Sequence, residues 1–367
     1  MTLVLSRPQV RVPAARKRRL VVPALAAFWF LYVLAQGAFS GNFWVWLLFD
    51  IAPPFGFVVV PVVLLGLARF TERCRKVVVL AVLSLLLGLP HSGLNPHAVL
   101  GGGDGPAPSG ALKVFSWNTE YWDEADGQDE FYAFLKSQKA DVYLLQEYLN
   151  WDFRPGADGL WRGARSAGDL QRLRQEFPGY TIVARGELLT LSRLKVLGVR
   201  PVGPDPGEVP GEDWWKVFDA AKVLRTDLLY QGSALSLYNV HIPQQLSQRT
   251  LLSPGFYLDV NDNDLRRQAQ FEGLHADLKA NPHPSVVAGD FNTTPAMGDM
   301  RWLTSVATDA LRANRSVYPV TWRDDAWMPF WRLDWAFTRG PVRVHRYEFG
   351  SPHRMSDHRT QELTVSV

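Results

Sequence analysis

Six short strings constrain this chain more than any other feature of it. They are FSWNTE (115–120), LLQE (144–147), NVHIP (239–243), VVAGDFN (286–292), WRLDWAF (331–337) and MSDHR (355–359). Most place a carboxylate, an amide or an imidazole at the end of a β-like apolar run. A strand end lies at the edge of its sheet, so this arrangement predicts several polar groups meeting at one rim. Each string alone is weak; their ordered recurrence carries the reading.

Composition divides the chain near residue 100. Ten Lys/Arg precede residue 101, against only Asp50 and Glu72. Of the chain's 39 basic and 36 acidic residues, 29 and 34 therefore remain in 101–367, a net of −5. The soluble part is mildly acidic, which disfavours nucleic acid as a partner because phosphate contacts need a basic face. The single cysteine, Cys74, permits no intramolecular disulfide.

Three apolar segments fill the first third: about Val21 to Phe39, Phe43 to Leu67 and Val77 to Leu89. A crossing helix needs roughly 20 residues. The first two meet that length, and the third does so if it continues towards Leu94. Asp50 and Pro53-Pro54 interrupt the second, which predicts a kink or a re-entrant shape. Basic clusters at 7–19 and 69–76 flank the segments, and Ser40-Gly41-Asn42 is uncharged. With basic loops cytoplasmic, residues beyond about 95 lie outside the cytoplasm. If the third segment fails to span, they lie inside. Two further apolar segments and no clear cleavage pattern argue against a signal peptide. Residues 1–94 thus read as a membrane region, the Gly/Pro-rich 95–110 as a flexible linker, and 111–367 as a catalytic domain.

In that domain, Leu112–Trp117, Val142–Gln146, Ser233–Val240, Ser285–Ala288, Leu333–Thr338, Val342–Tyr347 and Gln361–Val367 read as strands. Asp129–Gln138 and Asp262–Lys279 read as helices, and 201–213 as a breaker-rich loop. Irregular alternation of the two predicts an α/β layered fold with sheets inside helices. The many tryptophans read either as core or as an aromatic rim for lipid or sugar.

Hard divalent cations take oxygen ligands, and magnesium binds one or two protein carboxylates while keeping waters and substrate phosphate. Glu147, after the apolar run VYLL, is the leading ligand candidate. Asp290 and Asn292 follow VVAG, where a glycine permits a tight turn and the acid and amide sit two residues apart. Asp357 and His358 pair a carboxylate with an imidazole. No covalent nucleophile is evident, since Cys74 lies elsewhere and no G-x-S-x-G occurs. Direct attack by water is the expectation.

Over roughly residues 111–367 the ordered strings resemble the endonuclease/exonuclease/phosphatase superfamily, here in a membrane-anchored bacterial form. The resemblance implies a four-layer α/β sandwich, two packed β-sheets flanked by helices, preceded in this chain by about three transmembrane helices. It implies a Mg²⁺-dependent phosphoric ester hydrolase, with Mn²⁺ as the alternative ion. By resemblance, Glu147 binds the metal, with Asn118, Asp290 and Asp357 in the same metal site. Asn118 also contacts phosphate. His241 contacts the scissile phosphate and helps the leaving group, Asp290 and Asn292 activate or position water and phosphate, and Asp334 orients His358. Thr360-Gln361 departs from the apolar residue or proline that often follows SDHR. The expected substrate is a phosphate ester, lipid or lipid-linked, met at the lipid bilayer outside the cytoplasm. An extracytoplasmic nuclease is the alternative, and a non-catalytic scaffold a third.

Overall fold

Two six-stranded sheets pack face to face in the computed structural model, which describes residues 14–122, 127–151, 163–207, 214–323 and 330–367. The strands are β1 (Leu112–Asn118), β2 (Val142–Gln146), β3 (Leu149–Trp151), β4 (Ala164–Ser166), β5 (Thr181–Arg185), β6 (Leu188–Ser192) and β7 (Val196–Arg200). They continue with β8 (Val223–Tyr230), β9 (Ser233–His241), β10 (Ser285–Asp290), β11 (Thr308–Asp309), β12 (Asp334–Arg339), β13 (Arg343–Gly350) and β14 (Thr360–Ser366). One sheet runs β13-β14-β1-β2-β6-β5 and the other β11-β12-β10-β9-β8-β7; β3 and β4 form a separate ribbon. Each sheet has one parallel pair at its centre, β1 with β2 and β9 with β10, flanked by antiparallel neighbours.

The central strands are buried on both faces, which is why they read as continuous apolar runs. Successive side chains point to opposite faces, and the two sets separate cleanly. Val114, Leu144, Leu237, Val286, Ala288, Ala336 and Leu363 meet in the seam between the sheets. Phe115, Trp117, Tyr143 and Leu145 face outward onto the helices Gln128–Ser137 and Leu170–Glu176. Tyr238, Val240, Val287, Trp335 and Phe337 face the long helix Pro254–Ala280. The layers are therefore helix, sheet, sheet, helix, as the resemblance implies.

Several elements differ from their sequence reading. The helix expected at Asp262 begins eight residues earlier, with Ser253 Oγ accepting from Gly255 N and Pro254 at the first position. Strand β8 was not anticipated, because Arg225 and Asp227 interrupt its apolar run; they pair with each other at 2.9 Å, and Arg225 also pairs with Asp277. The loop 201–213 falls partly outside the described residues, and the described part is irregular. Thr360-Gln361 is accommodated: Gln361 Oε1 accepts from Tyr347 Oη at 2.7 Å and its amide reaches Gly289 O.

The N-terminal region also departs from three uniform spans. Leu20–Phe39 (20 residues) and Cys74–His91 (18 residues) are long and apolar enough to cross a membrane, but the middle helix, Gly56–Ala68, has only 13 residues. Pro53-Pro54 breaks the second segment, and Asp50 just before it is buried, accepting from Gln36 Nε2 and Ser40 Oγ. Val22 and Ala26 pack with Ala68 and Val77, whereas Val33 packs with Phe57 and Ala296. The helices thus alternate in direction. The ends at Ser40, Phe55 and His91 face the sandwich, and the Arg69–Lys76 loop lies at the far end.

That bundle is seated on the sandwich. Gly298 N donates to Ser40 Oγ at 2.7 Å, Gln36 Nε2 to Ala296 O at 2.8 Å, and Trp331 Nε1 to Ile51 O at 3.2 Å. A Cβ on Gly298 would lie 2.1 Å from Ser40 O, so only glycine permits this approach. The segment 95–110, expected to be a flexible tether, is laid along the domain instead. Asn95 Nδ2 donates to the carbonyls of Leu311, Asn314 and Ser316, and Asp104 accepts from Arg312 and from Val344 N. These partners are more than 200 residues away in sequence, so local composition could not show them.

Polar ties close the seam just below the rim: Gln146 Nε2 donates to Asn239 Oδ1 at 2.6 Å, and Asn239 Nδ2 donates to Leu145 O. Beside them Gly289 has φ +153°, and a Cβ there would lie 1.9 Å from Val240 O in the neighbouring strand. Gly289→Ala must push β9 and β10 apart. It should destabilise the protein by about 3 kcal/mol, read as a lower thermal midpoint by circular dichroism of the full chain in detergent.

Candidate active site

The same two-residue alternation that buries Val114, Leu237, Val286 and Ala336 brings Asn118, His241, Asp290 and Asp334 to the seam face at the strand termini. Asp290 is in register with His241 on one side and Asp334 on the other. Glu147 follows β2, and Asp357 and His358 precede β14. All eight residues expected from sequence therefore gather at one rim. Seven of them line a cleft of about 440 Å³, and Asp334 is buried behind it.

Two imidazoles face each other across this rim, each backed by a carboxylate. His358 Nδ1 lies 2.9 Å from Asp334 Oδ2, and its Nε2 points to Asp290 Oδ2 at 3.7 Å. His241 Nδ1 lies 3.1 Å from Glu187 Oε1, and its Nε2 is 3.5 Å from the same Asp290 oxygen. Burial would lower His241, but Glu187, Asp290 and Glu147 outweigh it and raise its pKa to about 9. His358 likewise stands well above the ordinary range, with Asp334 and Asp290 overcoming burial. Burial would raise Glu187, yet His241 and Lys222 hold it down to about 2.

Glu187 and Lys222 were not singled out from the sequence. Lys222 Nζ donates to Glu187, and both are buried in the cleft wall. Attention to strand ends misses them, because they precede β6 and β8, antiparallel strands that start at this rim. An ionisable residue immediately before such a strand is the signal that would have found them. His353, near the last string, contacts Phe134 and does not line the cleft.

Asn118 Nδ2 bridges the carboxylates, donating to Glu147 Oε1 at 2.9 Å and Asp290 Oδ2 at 3.1 Å. Its Oδ1 accepts from Glu120 N, and its amide nitrogen ties the two acids together. Asn292 N donates to Asp290 Oδ1 at 2.8 Å, and its own amide reaches Ile242 O. Glu147 and Asn292 both have positive φ, 59° and 46°. Left-handed backbone at non-glycine residues costs of order 1 kcal/mol each and is concentrated at functional sites.

The donor set fits a hard divalent cation. Glu120, Glu147, Glu187, Asp219, Asp290 and Asp357 face the cleft, against Lys222, Arg266 and the two imidazoles. Burial raises the pKa of Glu147 despite His241, the cost of an acid held in such company. A cation beside Glu147 and Asp290, with Asp357 across the cleft, would relieve that repulsion. Among the described residues, Asp290, Asp334 and His358 offer ligand atoms within 4.8 Å of one another. Asp334 Oδ2 is taken up by His358 Nδ1, however, so within that trio Asp334 serves to orient the imidazole.

A family model described as "Endonuclease/Exonuclease/phosphatase family" matches residues 115–358. The chain belongs to this family. Its members are hydrolases acting on phosphate esters. Similar solved structures include a family protein from Bacteroides vulgatus, 19% identical over 70% of this chain and 99% of that one, with a TM-score of 0.49. A mannosyl-6-phosphatase from Bacteroides thetaiotaomicron is 14% identical over 70% and 100%, with a TM-score of 0.47. The 3′ phosphatase NExo from Neisseria, solved with a product DNA hairpin, is 18% identical over 70% and 100%, with a TM-score of 0.45. No curated protein matches the chain.

Within this family member, the role of Glu187 can be checked directly. Replacing it in Glu187→Gln removes the anion that favours imidazolium and leaves burial, which favours the neutral ring. The His241 pKa should fall from about 9 by roughly 1–2 units. An imidazole NMR titration of the chelator-treated full chain reads this shift.

Proposed function

We propose that this chain is a membrane-tethered, divalent-metal-dependent phosphoesterase that hydrolyses a lipid or lipid-linked phosphate by direct attack of water outside the cytoplasm. The observation that carries the chemistry is the convergence of Glu147 and Asp290 with two carboxylate-backed imidazoles. Glu147, Asp290 and Asp357 would hold the ion, magnesium or manganese. A bound cation offsets the negative charge of the phosphoryl oxygens. Asp290, oriented by Asn292 N and Asn118 Nδ2, accepts a proton from the attacking water. His241, kept charged by Glu187, faces the phosphate and protonates the departing oxygen. His358, aligned by Asp334, steadies the phosphoryl oxygens from the opposite wall.

The bundle supports the reading of tethering and side. The basic Arg69–Lys76 loop lies at the end away from the sandwich, where the first helix, Ala14–Phe39, also begins. With basic loops taken as cytoplasmic, the sandwich would lie on the opposite side. The cleft opens beside the bundle's near end: Trp322 lines it and packs on Trp331, which donates to Ile51 O. A phosphate carried at the bilayer surface is the substrate this placement favours.

Glu147→Ala and His358→Ala, each in the full chain, should lower Mg²⁺-dependent turnover by about 10³-fold or more. Chelation should abolish activity, and Mg²⁺ or Mn²⁺ should restore it. Unchanged phosphate release in both variants refutes the site. Liposomes carrying phosphorylated lipid and plasmid DNA, tested side by side, separate the substrates; rapid nicking without lipid turnover overturns the lipid reading. A C-terminal tag should be reachable by antibody in intact cells stripped of their wall.

A further inference from the structure

The loop that follows His241 serves two neighbours at once. Pro243, Gln244 and Gln248 line the cleft, while Leu246 packs with Trp44, Leu47, Leu48, Phe256, Val260 and Met297. Further along the same segment, Leu251, Leu252 and Leu258 are 62%, 96% and 67% exposed. Nothing about this exposure is a consequence of looseness. Ser247 Oγ and Arg249 Nε both donate to Asp259 Oδ2, Asn263 Nδ2 donates to Leu246 O, and Ser253 caps the helix. The backbone is pinned, so the leucines cannot fold inward to escape water. On the neighbouring bundle end, Phe39, Phe43, Phe49 and Ile51 are exposed as well.

We infer that Leu251, Leu252 and Leu258 enter the same bilayer that the N-terminal helices span, forming a second membrane contact beside the cleft. This rests on the reading that those helices cross a bilayer. Lipid is the occupant because the segment bearing the leucines is fastened through Leu246, Phe256 and Val260 to Trp44 and Leu47 at the near end of the bundle, where Phe39, Phe43, Phe49 and Ile51 are exposed too. An exposed leucine pair beside a membrane-crossing bundle gains by burial in hydrocarbon, as in interfacial anchors. The contact sets the cleft mouth at headgroup depth and deepens the proposed specificity: phosphate at the lipid surface reaches Gln244 and Gln248 first.

The test uses the full chain in phosphatidylcholine/phosphatidylglycerol nanodiscs, with Cys74→Ser removing the native thiol. An environment-sensitive fluorophore is attached through Leu252→Cys, through Phe28→Cys in the first helix, or through Gln231→Cys at the β8–β9 turn, the sheet end away from the cleft. Spin-labelled acyl chains should quench the first two labels and leave the third unaffected. If the Leu252→Cys label behaves like the Gln231→Cys label while Phe28→Cys is quenched, the inference is overturned and the tether stands. If all three report water, the tether itself fails and the inference with it. Apolar emission at Leu252→Cys without lipid quenching, lost at one chain per disc, assigns the patch to a second copy and also overturns it. In Leu251→Ser/Leu252→Ser/Leu258→Ser, turnover of a liposomal phosphorylated lipid should fall about tenfold with a soluble aryl phosphate ester unchanged. An equal fall for both substrates contradicts the inference.

Discussion

The seam between the two sheets governs everything else in the sandwich. Once Val114, Leu237, Val286 and Ala336 are committed to that dry layer, the period of two decides where every later side chain on those strands goes. Asn118, His241, Asp290 and Asp334 are simply the next positions on the same face, where the layer meets water. The catalytic rim is thus an extension of core packing. A slip of one residue in any of these strands would turn its functional group onto a helix and expose the core face as well. The Gln146–Asn239 tie across the seam and the close approach at Gly289 hold the register against such a slip.

The rim carries a surplus of negative charge, and the structure contains it locally. Glu187 is paired with both Lys222 and His241, and Asp334 is given over to His358. Breaking one side of a buried pair typically costs 3–5 kcal/mol, because the remaining charge is stranded. Glu147 and Asp290 are treated differently, bridged by the Asn118 amide, with Asn292 N donating to Asp290 as well. Acids used to position imidazoles are neutralised by the protein; the proposed ion ligands are held by amides.

The sequence revealed most where both faces of a strand are buried. Strands β1, β2, β9 and β10 announce themselves as unbroken apolar runs, and their polar ends point to the rim. Strand β8 is equally buried but contains Asp227 and Arg225, and Asp277, which pairs with Arg225, lies some 50 residues away on a helix. That pairing cannot be read from the strand alone. Glu187 and Lys222 were hidden by direction: antiparallel strands offer their beginnings, not their ends, to the same edge. In the N-terminal third, hydropathy marked three segments and Pro53-Pro54 marked the break in the second, but the burial of Asp50 depends on Gln36 and Ser40 from another helix. The polar Asn95 looked like linker because its three carbonyl acceptors belong to the far end of the chain.

With Ser40 fastened to Gly298 and Ile51 to Trp331, the helical bundle acts as a pedestal for the sandwich. On the proposed tethering, the elevation of the reaction centre above the lipid would be a fixed dimension of the molecule, set by side-chain contacts instead of by a swinging leash. An enzyme so mounted would select its targets by stature: a phosphate held at the matching height would be within range, and the same group borne on a longer or shorter stalk would be passed over.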